Sequence, residues 1–195
     1  MEKDMEKQGM PENNADNADN ATSILTKLTE EFEKEVTRWT KDIRDMSSKV
    51  SGHAESINEA QSLALSYRQQ LAETVSTYTR RLAKQSSKMK VLRRGKFVYY
   101  ATGILPNGTR PDPETIRRDQ HIISLKKTKS EMDLIISGDL SDNEHYMELL
   151  EQHIFFLREC IKTVDHCLYS IKNGIELMTL MLNISEIINC SQDMT

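Results

Sequence analysis

Turn-forming residues are scarce in this chain. Seven Gly and four Pro among 195 residues leave few places for the backbone to reverse, which disfavours a many-stranded sheet and favours long helices. Three Cys without paired spacing do not make a disulfide framework. Neither a GxGxxG nor a GxxxxGKS/T run occurs, so a Gly-rich phosphate loop has no support. The first residues, "MEKDMEKQGMPENNADNADNA", hold no apolar run of the kind a signal peptide needs. The apolar stretch "GIELMTLMLNISEIINC" is broken by Glu176 and Glu186 and falls short of spanning length. Together these absences predict a soluble protein of a reducing, cytoplasmic setting, without a membrane partner.

Apolar residues are also few. A hydrophobic content of 37% is low for a compact globule and suits extended helices, which bury one stripe and wet the rest. The fold class expected is all-α, built from long helices with heptad seams. A formal charge of −4 conceals a strong asymmetry. Residues 1–60 carry −6, residues 80–130 carry +11, and residues 131–195 carry −9. A basic middle therefore sits between acidic ends.

Along the chain, residues 1–22 are rich in Asn, Asp and Ala and read as a disordered acidic tail. Thr22 or Ser23 can cap a helix starting at Ile24. Residues 23–52 read as an N-terminal helical arm whose apolar positions Phe32, Val36, Trp39, Ile43, Met46 and Val50 step by three or four. Gly52 marks a hinge. Residues 53–195 form the helical core. Its first helix carries Ile57, Ala60, Ala64, Tyr67, Leu71, Val75, Tyr78 and Leu82 on one seam and reaches Leu92 or beyond, with Gly95 expected to loosen it. Residues 101–112 read as a loop, because Gly103, "PNGT" and "RPDP" are turn signals. Asp112 followed by Pro113 starts a helix that is expected to run unbroken to Gly138. "SDNE" at 141–144 has the form of a capping box. The last helix holds the cleanest seam: Leu150, Ile154, Leu157, Ile161, Val164, Leu168, Ile171, Ile175, Met178 and Leu182. One helix cannot cover that surface alone, so the segment 141–189 is expected to oligomerise, through Ile154, Leu157, Ile161, Val164, Leu168, Ile171, Ile175 and Met178.

His153, Cys160 and Cys167 share a helical face at seven-residue steps. Each step is about 10.5 Å along a helix, whereas a zinc ion holds its ligands at roughly 2.0–2.3 Å. No single ion collects all three, so no metal and no cofactor is expected. The scattered histidines show no catalytic order, and the chain reads as a non-enzyme.

The chemistry concentrates in "KMKVLRRGKFVYYAT" and the turns before it. Lys84, Lys88, Lys90, Arg93, Arg94 and Lys96 occur with no acid among them. Lys84–Lys88 and Lys90–Arg94 are like-charge pairs at i,i+4, which repel unless an anion sits beside them. Phe97, Tyr99 and Tyr100 follow, and aromatic faces beside cations are surfaces on which unstacked bases pack. Three readings stay open on these grounds: a nucleic acid, with residues 80–130 as its binding region; pairing with acidic segments of the chain or of neighbouring subunits, as in a coiled-coil scaffold; and another anionic surface. Double-stranded DNA stays open beside single-stranded.

From about Ala60 to Leu182 the chain resembles the bacteriophage UvsY recombination mediators. The landmarks are "LSYRQQL" and "KQSSKMK", then "RGKFVYYATG" at 94–103, "KSEM" at 129–132 and "LYSIKNGIELM" at 168–178, with "LTEEFEKEV" at 28–36 similar to the family's first helix. The resemblance implies an all-α subunit that closes into a homo-oligomeric ring, a heptamer in the family, through its C-terminal part. It implies single-stranded DNA as ligand, a RecA-type recombinase and a single-strand-binding protein as partners, and the cytoplasm of a phage-infected bacterium as setting. It places Arg94 and Lys96, ahead of Tyr99 and Tyr100, on the DNA.

Overall fold

A computed structural model describes the backbone of residues 14–50, 54–123 and 127–192, with side chains described over 23–50, 55–123 and 127–185. Five helices follow in order: α1 (Asn14–Lys49), α2 (Ala54–Thr102), α3 (Pro113–Ile123), α4 (Lys129–Asp139) and α5 (Ser141–Gln192). No strand occurs among the described residues, and no helix among them is long and apolar enough to cross a membrane.

Three of these helices form the body. Arg68 Nε meets Asp165 Oδ1 at 2.7 Å, while Gln85 Nε2 meets Asn143 Oδ1 at 3.1 Å, so α5 runs antiparallel to α2. Trp39 packs edge-on to Tyr67 and Phe32 edge-on to Tyr78, which sets α1 antiparallel to α2 and parallel to α5. The apolar positions at three- and four-residue steps converge here: Leu28, Phe32, Trp39, Ile43 and Met46 from α1, Ala64, Leu71 and Tyr78 from α2, and Leu150, Ile154, Leu157 and Val164 from α5 are all buried in one cluster. Ala60 and Ala64 are fully covered, since a methyl side chain lets two long helices approach closely. Ile57, Ala60 and Ile171 close the end of the bundle near residue 50.

The opposite end of the bundle carries a second core of Met89, Tyr99, Tyr100, Met132, Ile136 and Leu140. There α2 ends in a left-handed Gly103 (φ 69°), whose N–H reaches the Tyr99 carbonyl at 2.7 Å. Asp112 then caps α3 as its sequence predicts: Oδ1 accepts from the N–H groups of Glu114 and Thr115 at 3.0 and 2.9 Å.

Several boundaries differ from expectation. Helix α1 begins at Asn14, within the segment read as tail and ahead of the expected cap at Thr22 or Ser23. The rest of that tail, and Gly52 at the expected hinge, lie outside the described residues. Helix α2 runs without interruption through Gly95. The helix expected from Pro113 to Gly138 is two helices, because Thr128 and Glu131 form a reciprocal capping box that starts α4. Ser141 makes no such box. The Glu144 N–H bonds the Leu140 carbonyl at 3.0 Å, and the Glu144 carboxylate turns to Arg93 instead.

Candidate nucleic-acid interface

The basic half of α2 presents its cations in two environments. Lys84, Lys88, Lys90 and Arg94 are exposed and make no ion pair among the described residues. The spacing explains why they share the solvent side: Met89, Leu92, Tyr99 and Tyr100 occupy the opposite face, packed into the second core. From Lys84 to Arg94 the helix rises about 15 Å, and its 3.6-residue turn sets the charges in two short columns, Lys84–Lys88 and Lys90–Arg94, that together make a broad basic ridge. Val91, 72% exposed, lies within it.

Arg93 and Lys96 point inward along the flank. Arg93 donates to Ser137 Oγ at 2.6 Å and to Glu144 Oε1 at 3.1 Å. Lys96 Nζ reaches Asp139 Oδ2 at 2.8 Å and lies 5.7 Å from the Tyr100 ring centroid. Both ion pairs are half-exposed, worth roughly 0–1 kcal/mol each; they stitch α2 to α4 and α5. The pair singled out by family resemblance is thus divided, with Arg94 free of internal ion pairs among the described residues and Lys96 engaged.

The two tyrosines are a correction. They were expected to offer faces for stacking, but Tyr99 is 7% and Tyr100 5% exposed, because α3 and α4 close over the end of α2. The Tyr99 hydroxyl donates to Asp119 Oδ2 at 2.9 Å, and the Tyr100 hydroxyl donates to Asp139 Oδ2. Burial first, then the hydrogen bond to Asp119, pushes the Tyr99 phenol up to about 12. Burial and Asp139 likewise raise Tyr100. Phe97 is the aromatic of this segment that remains open to solvent.

Between α2 and α3 lies a cleft of about 890 Å³. Val91, Gly95 and Val98 form one wall, Thr115, Arg118 and Ile122 the facing one, and Tyr99 and Tyr100 part of the lining. Gly95 admits the loop that closes one end: a Cβ there would stand 3.0 Å from Pro106 Cγ. Asp119, nearly buried, holds the Arg118 guanidinium at 3.1 Å and keeps it protonated more firmly than usual. Sequence reasoning did not single out Arg118, Asp119 or Asp139. The available signals were an acid set directly after Arg117 and Arg118 and the four-residue step from Arg118 to Ile122.

The proposed assembly surface is also redistributed. Ile154, Leu157, Val164 and Ile171 are buried, with Ile161 and Leu168 packed beside them, because α1 and α2 cover that face of α5 within the same chain. Ile154, Leu157, Val164 and Ile171 are therefore core of the subunit, whereas Ile161 and Leu168 are only partly covered. Ile175 and Met178 lie past the end of the bundle and are exposed, as are Leu177, Leu180, Met181, Leu182 and Ile184. The residues weighed as metal ligands are placed apart as well: His153 bonds Glu35 at 2.7 Å, Cys167 Sγ lies 3.3 Å from Ser47 Oγ, and Cys160 is buried.

No protein-family model, curated protein or solved structure matches the chain.

Proposed function

We propose that the chain is a non-enzymatic recombination mediator, which binds single-stranded DNA as a homo-oligomer and promotes loading of a RecA-type recombinase onto strands covered by single-strand-binding protein. The observation that carries the reading is the ridge of Lys84, Lys88, Lys90 and Arg94, exposed on one helix and without acidic partners among the described residues. A protein of net charge −4 gains nothing in folding from four unneutralised cations side by side, whereas a phosphate backbone supplies the missing counter-charge. The resemblance to UvsY-type mediators names the strand and the partners, and the cytoplasm of an infected bacterium as the setting.

Self-association runs through the overhang of α5 beyond Ile171. Repeating a modest site around a ring raises affinity through effective concentration, without any new contact. That overhang also favours a second reading, a helical scaffold that assembles without DNA.

A titration of fluorescent single-stranded DNA separates the two. Binding should weaken steeply with salt, with a log–log slope near −0.7 per phosphate neutralised. Lys88→Glu with Arg94→Glu should abolish it while the native mass stays unchanged. Absence of binding at low salt, or a flat salt dependence, removes the mediator reading and leaves the scaffold. Competition with duplex DNA decides between single and double strands.

A further inference from the structure

We propose that the cleft between α2 and α3 receives an unstacked nucleobase of the bound strand. The inference rests on the single-stranded DNA reading above and adds to it a base-holding site. At about 890 Å³ the cleft falls within the range of small-molecule sites, about 300–1,000 Å³, and has room for a nucleotide.

Its chemistry fits a flat group with apolar faces and a polar edge. Val91 and Val98 on α2 face Ile122 on α3, so both sides of an inserted ring meet hydrocarbon. At the end near α4, Lys96 Nζ offers hydrogens beyond the one it gives Asp139. Asp139 Oδ1 accepts no hydrogen bond among the described residues, since Lys96 and Tyr100 both bond Oδ2. A donor and an acceptor thus stand together at the cleft edge. All four bases present at least one of each, so the site tolerates any sequence, as base stacking does. A purely aliphatic ligand would leave Lys96 and Asp139 without new partners on being desolvated.

Position links the cleft to the ridge. Arg94 belongs to both: it lines the cleft and ends the row begun at Lys84. A strand whose phosphates follow the ridge arrives at the cleft, which Arg94 and Arg118 help to line. Turning one base inward removes it from stacking with its neighbours, and holds the strand in register on the subunit.

The test compares two fluorescent strands of equal length on the wild-type protein at one salt concentration, one of natural mixed sequence and one built of abasic sites. Phosphate contacts are the same in both. The natural strand should bind about tenfold more tightly, the range expected for a captured base. Val98→Trp, which fills the cleft from an exposed helix position, should bring that ratio to about one. A 2-aminopurine in the natural strand should change brightness on binding to wild type and lose that change with Val98→Trp. Equal binding of natural and abasic strands by wild type overturns the cleft proposal and leaves the phosphate reading standing. Failure of both strands to bind at low salt overturns the DNA reading itself. Phe97→Ala, at an exposed ring, keeps the test decisive if Val98→Trp unfolds: the natural-to-abasic ratio should persist without Phe97, and its loss would overturn the cleft proposal.

Discussion

His153 Nε2 on α5 lies 2.7 Å from Glu35 Oε2 on α1, and the imidazole is sandwiched in the middle of the bundle. Its ring stacks on Phe32 with centroids 3.9 Å apart and meets the edge of Tyr78. The Tyr78 hydroxyl in turn donates to Glu31 at 2.9 Å and Glu35 at 3.3 Å, so three helices share one polar knot within the apolar core. Removing His153 opens a cavity beside Phe32 and Tyr78 and leaves Glu35 Oε2 without its partner. His153→Ala should lower stability by about 2–4 kcal/mol, read by urea unfolding at fixed protein concentration. Glu35→Gln, at a side chain partly open to water, should lower it by about 1 kcal/mol. Equal losses for the two would show that the carboxylate, and not the packing of the ring, holds the knot.

Alkali should undo the end of the molecule where the cleft lies. Tyr99 is held above its ordinary value of 10.0, up to about 12, by burial and Asp119, and Tyr100 is raised by burial and Asp139. A raised value means that the folded state favours the neutral phenol. The stabilisation is therefore complete below pH 10.0 and is lost as pH rises through about 12. Tyrosinate absorbance and helical circular dichroism, followed together, should show these phenols ionising as helicity falls. Tyr99→Phe should remove one high-pH step from the absorbance. Ionisation of every tyrosine near its ordinary value with helicity intact would contradict the buried hydrogen bonds.

Much of this architecture is legible in the sequence, and the parts that are not share a cause. The three- and four-residue steps mark which residues of α1, α2 and α5 face a partner, and Asp112–Pro113 marks the start of α3. Spacing does not say whose helix the partner is. Ile154 to Ile171 carry the same pattern whether they meet α1 and α2 or another copy, and only the length of the α1–α2 hairpin decides where the internal core stops. Exposure of Tyr99 and Tyr100 is illegible for the same reason: helices lying twenty to forty residues onward bury them. The division of 113–138 into two helices was written in Thr128-x-x-Glu131, a local signal masked by the apolar residues on both sides. The Lys84–Arg94 ridge was legible because charge, unlike packing, is counted without knowing neighbours.

Arg94 and Lys96 should separate when each is changed alone. Arg94 is exposed and has no ion pair among the described residues, so Arg94→Ala should cut single-stranded DNA affinity several-fold and reduce the salt slope by about 0.7, with stability unchanged within about 0.5 kcal/mol. Lys96→Ala removes one of the two partners of Asp139, leaving Tyr100, and loosens α4 against α2. Its DNA effect should come with a lower melting temperature. Identical binding losses without any stability difference would place both cations on phosphate and not one on the fold.

The overhang of α5 carries two apolar stripes, and under the proposed self-association their arrangement predicts how copies would meet. Ile175, Met178 and Leu182 continue the line of Ile171, while Leu177, Leu180, Met181 and Ile184 lie on the other side of the helix; all seven are exposed. A helix apolar on both sides needs cover on both sides. A single symmetric contact would cover one stripe, whereas a head-to-tail contact that closes into a ring uses two different faces of each subunit. Charging either stripe should then be enough to break the assembly. Met178→Glu with Leu182→Glu, and separately Leu177→Glu with Leu180→Glu, should each yield small species by native mass spectrometry. Helicity should survive in both, because the internal core ends at Ile171. Loss of the oligomer on charging one stripe alone, with no effect from the other, would indicate a single symmetric contact through that stripe and exclude a ring built on both faces of this helix.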